Sequence, residues 1–152
     1  FPTQVIKQAD VVTMLCLFEN DFTQKVLESN YDYYIGRTEH GSSLSASMYG
    51  LLACKTGRME DAYKFFIETA SIDYYGKGKQ YAGGIYIGGS HPAASGGAYM
   101  LAVYGLAGLK IGENGPILNP RLPPQIKGIK FRFLYKGNIY IADITNKGLT
   151  LP

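Results

Sequence analysis

Apolar residues recur at helical spacing through most of the first 112 residues, and this pattern constrains the fold more than any other feature. Four segments show it: about Ala9 to Phe18, a second that begins at a cap-like Asp21, about Ser43 to Lys55, and a fourth after the break at Thr56-Gly57. In the fourth, the predicted apolar stripe comprises Met59, Ala62, Tyr63, Phe66, Ile67 and Ala70. Pairs of helices joined by short turns are therefore expected.

The segment from Tyr74 to Gly97 interrupts this pattern, because its glycine pairs and Pro92 disfavour long regular structure. We predict a loop there, followed by a further helix from Ala98 to about Leu109. A loop of this length is either functional or irregularly packed, and both interpretations remain open. His91, within it, either lines a site or is structural.

After Gly112 the pattern changes to that of strands. Phe131, Phe133 and Tyr135 alternate with residues of the opposite face, and Gly137-Asn138 fits a two-residue hairpin turn. About three strands cannot bury both faces of a sandwich, so further strands are expected from elsewhere in the protein. We therefore predict two domains, a helical one at 1–112 and the start of a β-domain at 113–152.

Composition excludes several classes of function. The chain has 152 residues, 46% of them hydrophobic, which suits one globular unit rather than disorder. Its net charge of +3 is scattered, without the basic stripe expected for binding nucleic acid or anionic membranes. Cys16 and Cys54 lie within apolar helical patterns, so we expect reduced, buried thiols, no metal site and a cytoplasmic location.

The segment Tyr33 to Ser45 combines a histidine with hydroxyl groups ahead of a helix. Ser42 or Ser43 is expected to cap that helix, whose apolar positions are Leu44, Met48, Leu51 and Leu52. Free amide groups at a helix start favour an anion, and His40 adds a titratable donor. The alternative is a purely structural cap with a solvated or core-packed histidine.

Four motifs occur in an order that resembles the C-terminal part of glycoside hydrolase family 65. They are KQADVV at Lys7 to Val12, NYDYY at Asn30 to Tyr34, TEHGSSLS at Thr38 to Ser45, and NPRLP at Asn119 to Pro123. The resemblance covers nearly the whole chain. It implies a mainly α fold, the C-terminal portion of an α/α barrel of paired helices, followed by part of a C-terminal β-sandwich.

The resemblance also implies a division of labour among the motif residues. Lys7 and Gln8 match the pair that contacts the glucosyl unit, whereas His40, Ser42 and Ser43 match the phosphate cradle. The family's general acid is a glutamate upstream of the KQ motif, so no catalytic residue is expected in this chain, and Glu39 does not match it. Gly41 replaces an acidic residue found in many relatives, which leaves the substrate linkage open.

The implied activity is inverting phosphorolysis of an α-glucosidic disaccharide to β-glucose 1-phosphate and a free sugar. The implied partners are the disaccharide, inorganic phosphate as co-substrate, the missing N-terminal part of the polypeptide, and a second copy in a homodimer; no cofactor is expected. The isolated fragment should be inactive. Two alternatives are a family-65-like α-glucoside hydrolase and a non-catalytic sugar-binding or structural helical module.

Overall fold

The computed structural model describes residues 4–75, 80–82, 85–87, 89–145 and 148–151. Within these residues, four α-helices come first, followed by a short β-hairpin, a fifth α-helix and five further strands. This order agrees with helix pairs followed by small antiparallel sheets. Part of the glycine-rich segment expected at 74–97 lies outside the described residues.

The first two helices are α1, Asp10–Leu17, and α2, Gln24–Ile35, separated by a 3-10 turn at Glu19–Asp21. The expected cap at Asp21 is wrong, because Asp21 belongs to the 3-10 turn. Thr23 takes that role instead: its backbone is extended and its Oγ1 accepts a hydrogen bond from the Val26 amide at 3.4 Å.

The next pair, α3 at Ser45–Lys55 and α4 at Met59–Ala70, forms the centre of the helical layer. The break predicted at Thr56-Gly57 is confirmed, and Gly57 has a positive φ of 77° that favours glycine. Nearly all of α3 is buried. At Gly50 a Cβ would overlap the Leu101 side chain and approach Phe65 Cβ to 3.2 Å, so glycine permits this close helix packing.

The buried stripe of α4 differs from the predicted one. Its buried residues are Ala62, Phe65 and Thr69, whereas Ile67 is 43% exposed. Met59 and Phe66 pack against the core from partly buried positions. The predicted stripe is rotated about the helix axis relative to the buried one. The prediction considered only apolar residues, whereas α4 also buries the polar Thr69.

The fifth helix, α5, spans Pro92–Met100 and continues as a π-helical turn through Leu101–Leu106. The prediction of a start at Ala98 is therefore wrong, because the glycine-rich end of the segment is helical. Pro92 occupies the first turn, where its missing amide is not needed. Gly97 packs so closely that a Cβ there would lie 2.5 Å from Ser47 Oγ.

Small antiparallel sheets follow the helices. The described strands are β1 (Gln80–Ala82) with β2 (Ile85–Ile87), β3 (Leu109–Gly112) with β4 (Gly115–Leu118), and β5 (Gly128–Tyr135), β6 (Asn138–Thr145) and β7 (Gly148–Thr150). The β5–β6 hairpin and its alternation are confirmed, with Tyr135 paired to Asn138. The turn itself is Lys136-Gly137, one residue earlier than predicted, and both have positive φ.

The hydrophobic core lies among α1 to α4 and the π-helical turn, with Tyr31, Tyr49 and Leu52 among its largest fully buried side chains. Ile126 and Ile129 pack against this core and connect it to the last sheet. Among the described helices, none is long and apolar enough to cross a membrane.

The two cysteines are free and buried, as the sequence predicted. Cys16 Sγ donates to the Met48 carbonyl oxygen at 3.4 Å. Burial raises the pKa of each thiol to about 12. Both thiols therefore stay protonated and unreactive in the folded chain.

Candidate functional site

The turn from His40 to Leu44 leads directly into α3. His40 has a positive φ of 55°, an uncommon backbone conformation for a residue other than glycine. Ser42 Oγ accepts a hydrogen bond from the Leu44 amide at 3.3 Å, and the Ser42 carbonyl accepts one from the Ser45 amide at 3.1 Å. Ser42 therefore shapes the turn before the helix.

The expected side-chain cap at Ser42 or Ser43 is wrong in its detail. The residue before α3 is Leu44, whose backbone dihedral angles are helical and whose apolar side chain cannot form a capping hydrogen bond. Because Ser42 Oγ uses a lone pair to accept from Leu44, its hydroxyl proton stays available for donation to another group. Ser43 is half-buried beside it.

The imidazole of His40 is held between aromatic rings. Its centroid lies 4.7 Å from that of Tyr49 and 5.8 Å from that of Phe65, and the second pair is stacked. Nε2 lies 3.2 Å from the Ile35 carbonyl oxygen, which requires Nε2 to donate. Among the described residues, the buried Nδ1 has no hydrogen-bond partner. The ring is thus fixed, with one nitrogen free to meet a further group.

A short parallel bridge brings the two sequence-predicted clusters together. Ile6 pairs with Thr38: the Ile6 amide donates to the Arg37 carbonyl at 2.9 Å, and the Glu39 amide donates to the Ile6 carbonyl at 2.8 Å. Lys7 directly follows Ile6 and His40 directly follows Glu39. The bridge therefore places the KQ segment beside the turn that carries His40, Ser42 and Ser43.

Lys7 and Gln8 are both exposed in this arrangement. Gln8 Nε2 donates to Asp10 Oδ1 at 3.1 Å, a contact that orients the amide over the start of α1. The remaining amide oxygen of Gln8 and the Lys7 ammonium group are suited to hydrogen bonds with hydroxyl groups or an anion.

Helices α3 and α5 run in the same direction, so their N-termini lie at the same end of the helical layer. The residue numbers in contact increase together in α3 and in α5 with its π-helical continuation. Gly97 contacts Ser47, Leu101 contacts Gly50, and Gly105 contacts Cys54. Two helix N-termini with free amide groups give this end a positive potential. The end can accommodate an anion.

His91 precedes α5 at this end and is clamped by Asp73. Its backbone amide donates to Asp73 Oδ2 at 2.7 Å, and its ring Nδ1 lies 2.6 Å from Asp73 Oδ1. Because the carboxylate oxygen accepts, Nδ1 carries the ring proton that is donated to Asp73. Nε2 is then the nitrogen left for other interactions. Sequence reasoning weighed His91 without reaching a decision and missed Asp73, since no local pattern links residues 18 positions apart.

Two hydroxyl groups near these helix ends are also buried without a hydrogen-bond partner among the described residues, Ser45 Oγ and Thr69 Oγ1. Ser45 opens α3, and Thr69 Cγ2 would contact a Cβ at Gly97 at 4.0 Å. Across the described ranges, no group of three or more His, Cys, Asp or Glu side chains is arranged to hold a metal ion.

Comparisons with known proteins all indicate a single family. Residues 1–95 match the glycosyl hydrolase family 65 central catalytic domain, and residues 109–151 match the C-terminal domain of that family. Nigerose phosphorylase of Lachnoclostridium phytofermentans is 53% identical over 150 residues, covering 98% of this chain and 20% of its own length. The 1,2-alpha-glucosylglycerol phosphorylase of Bacillus selenitireducens is 37% identical over 149 residues, with the same two coverages.

A solved structure, provisionally described as a kojibiose phosphorylase from the human microbiome, superposes with a TM-score of 0.82. It is 30% identical, and the match covers 99% of this chain and 22% of that one. The chain therefore spans about a fifth of the length of the curated relatives it matches. It belongs to glycosyl hydrolase family 65, as a C-terminal part that joins the end of the central catalytic domain to the C-terminal domain.

Proposed function

We propose that this chain is the C-terminal part of an inverting glycoside phosphorylase that cleaves an α-glucosidic disaccharide with inorganic phosphate. The observation that carries the proposal is the Ile6–Thr38 bridge, which sets Lys7 and Gln8 beside the His40–Ser43 turn. A phosphorylase needs a sugar contact and an anion contact next to each other, because phosphate attacks the carbon that carries the scissile bond.

The reaction forms one bond and breaks one. A phosphate oxygen attacks the anomeric carbon from the face opposite the departing sugar, the glycosidic C–O bond breaks, and a carboxylic acid protonates the leaving oxygen. The products are β-glucose 1-phosphate and a free sugar. We assign the acid to a glutamate in the upstream part of the polypeptide, so the fragment alone is inactive.

The helix ends supply what the attacking phosphate requires. Phosphate carries up to two negative charges near neutral pH, and the shared N-terminal end of α3 and α5 offers backbone amides and a positive potential. In this proposal the hydroxyl protons of Ser42 and Ser43 are donated to phosphate oxygens. His40 Nδ1 is buried without a partner among the described residues, and in this proposal it accepts a hydrogen bond from a protonated phosphate oxygen, because Nε2 donates to the Ile35 carbonyl.

The sugar contact is assigned to Lys7 and Gln8. The Gln8 amide is oriented by Asp10, and its oxygen can accept from a sugar hydroxyl. Lys7 provides a flexible cation that can contact a hydroxyl group or the incoming phosphate. Neither role needs a metal or an organic cofactor, so inorganic phosphate is the one co-substrate of the proposal.

The proposal extends to organisation and location. We divide the chain into a catalytic part at 1–112, the end of an α/α barrel, and the start of a β-sandwich at 113–152, and we expect the intact enzyme to be a homodimer. The free thiols of Cys16 and Cys54 support a reducing, cytoplasmic location. The names of the curated relatives, which include nigerose, kojibiose and trehalose phosphorylases, support α-linked glucose disaccharides as the substrate class.

Turnover by the full polypeptide tests the proposal. Nigerose, kojibiose and trehalose would each be incubated with and without inorganic phosphate, and glucose and glucose 1-phosphate would be measured separately. We expect glucose 1-phosphate from at least one disaccharide, strictly dependent on phosphate. Free monosaccharides formed without phosphate would instead establish a hydrolase, and sugar binding without any turnover would establish a binding module.

A further inference from the structure

A polar cavity lies at the opposite end of α3 from the candidate site. Its volume is about 230 Å³, and its walls come from the 3-10 turn, the start of α2, the end of α3, the π-helical turn, β3 and the segment 119–121. Ser45 and Lys55 begin and end α3, so the two sites are separated by about 15 Å of helix. The proposed phosphorylase reaction makes no use of this cavity.

The lining of the cavity is positively charged. The cavity is lined by three cationic side chains, those of Lys55, Lys110 and Arg121, and by one carboxylate, that of Glu19. Lys55 is ion-paired with one oxygen of this carboxylate, and Lys110 Nζ lies 2.8 Å from the other. Three cations against one anion leave the lining with a net charge of +2. Burial lowers the pKa of Lys55, and the nearby Lys110 charge acts in the same direction.

Arg121 supplies the excess charge in a form that can bind an oxyanion. Its Nη1 donates to the Cys54 carbonyl oxygen at 3.1 Å, which fixes the guanidinium at the cavity wall. Among the described residues, the ion pairs at this cavity all use Glu19, so Arg121 has no carboxylate partner there. A guanidinium group has five donors, and its planar fork matches two oxygens of a phosphate.

The rest of the lining suits a small polyhydroxylated molecule. The amide side chains of Asn20 and Asn119 can both donate to and accept from hydroxyl groups, and Tyr104 contributes an aromatic wall. Gln24 Nε2 donates to Glu28 Oε1 and to the Lys55 carbonyl, so Gln24 contributes its Oε1 as an acceptor. The cavity is smaller than the roughly 300–1,000 Å³ of sites that hold drug-sized ligands. It can hold one sugar-sized molecule with a charged group.

We propose that this cavity binds a small sugar phosphate, with the phosphate group held by Arg121 and Lys110 and the hydroxyl groups by the surrounding amides. A phosphate monoester carries about −1.5 to −2 charges at neutral pH, which matches the net charge of the lining. The site is independent of the proposed phosphorylase chemistry, because it shares no residue with the His40–Ser43 turn.

Calorimetric titration of the full polypeptide tests this proposal, with glucose 6-phosphate as the probe and glucose as the uncharged control. The Ser42→Ala/Ser43→Ala variant is the background, so that binding at the candidate phosphate site is strongly weakened. We expect saturable binding of glucose 6-phosphate, with the dissociation constant raised at least tenfold by Arg121→Gln. Lys127→Gln, which removes an exposed lysine outside the cavity, should leave it unchanged.

Lys110→Gln provides a second variant, because the Lys110 side chain is 54% exposed and its loss should not prevent folding. It should also weaken binding. The proposal is overturned if glucose 6-phosphate does not bind, if neither cavity variant weakens binding, or if Lys127→Gln weakens it equally. It is also overturned if the isolated chain binds the probe but the full polypeptide does not, since upstream residues would then fill the cavity.

Discussion

Thr38 Oγ1 and Tyr49 Oη lie 2.5 Å apart in the buried interior, and this hydrogen bond connects the segment before His40 to the middle of α3. Thr38 also forms the bridge to Ile6, while the Tyr49 ring packs against His40. One contact thus joins the two halves of the candidate site to the helix that supports them. Burial raises the pKa of Tyr49, so its hydroxyl group remains neutral.

Tyr49→Phe should lower the free energy of unfolding by about 1–3 kcal/mol, because it leaves the buried Thr38 hydroxyl without its partner. Chemical denaturation of the chain would measure this. Tyr33→Phe, at a position that is 46% exposed, is the matched control and should have little effect. Combining Tyr49→Phe with Thr38→Val should cost less than the sum of the single changes; full additivity would show that the two groups do not interact.

Gly97→Ala and Gly96→Ala should change stability in opposite directions. A Cβ at Gly97 would lie 2.5 Å from Ser47 Oγ in the buried interface of α5 with α3, so we expect a loss of about 1–3 kcal/mol. At Gly96 the added methyl group meets no atom of the described residues within 4 Å, and the better helix propensity of alanine should add up to about 1 kcal/mol. Thermal unfolding of both variants would test this close packing. Equal changes in stability for the two variants would contradict it.

Asp73→Ala should destabilise the chain more than Asp32→Ala does. Asp73 accepts two hydrogen bonds from His91 in a partly buried setting, so we expect a loss of about 1–3 kcal/mol. Asp32 is 64% exposed and pairs with Arg58, an interaction in the range of about 0–1 kcal/mol. Urea denaturation would compare the free energies of unfolding of the two variants. If Asp73→Ala were no less stable than Asp32→Ala, a structural role for the contact between Asp73 and His91 would be ruled out.

Ser42→Ala/Ser43→Ala in the full polypeptide should raise the KM for phosphate about 10²- to 10⁴-fold, since each of the two hydroxyls donated to a charged oxygen is worth roughly 1.5–3 kcal/mol. The KM for the disaccharide should change much less. Ser29→Ala, on the exposed surface of α2, controls for serine removal itself. Steady-state kinetics with each substrate varied in turn would measure both constants, and equal increases would argue against a phosphate cradle.

The buried thiols predict a loss of stability at alkaline pH. The folded pKa of Cys54 is about 12 against an ordinary value of 9.0, so stability contributed by the neutral thiol is complete below pH 9 and declines as pH rises toward 12. Cys16 behaves in the same way, and Tyr31 and Tyr49, whose pKa values are also raised, act in the same direction. The lowered pKa of Lys55 acts in the opposite direction.

The contribution of Cys54 can be isolated by substitution. Cys54→Ala should reduce the fall in the free energy of unfolding between pH 8 and pH 10.5, measured by urea denaturation at each pH. An unchanged fall would mean that the Cys54 thiol does not titrate with unfolding. In the native chain, thiol reagents at pH 8 should react only as fast as the chain unfolds.

Several local features of the fold could be predicted from the sequence alone. The extent of α1, the end of α3 at Lys55 and the alternation of β5 follow from short-range patterns of apolar residues and glycine, which act within a few residues of the chain. The cysteine environment was also predictable, because both thiols lie within apolar helical segments. The four ordered motifs were sufficient to identify the family.

The sequence motifs proposed the residues of the candidate site, but they did not predict how the segments that carry them come together. Lys7 and His40 are 33 residues apart, and the Ile6–Thr38 bridge that brings their segments together is a backbone contact with no sequence signature. The Asp73–His91 clamp is likewise a long-range pair, and the role of Ser42 as a turn former depends on where α3 begins.

Errors in the predicted helices have the same origin. The sequence placed the buried stripe of α4 from apolar spacing, yet Thr69 is buried because α5 packs over it. The sequence pattern assigned the glycines before Ala98 to a loop, yet Gly97 lies within α5. Glycine is needed there because only a residue without a side chain fits against Ser47. Sequence by itself determined the elements whose cause is local; tertiary structure decided which faces are buried and which distant residues meet, because those depend on packing between segments far apart in the chain.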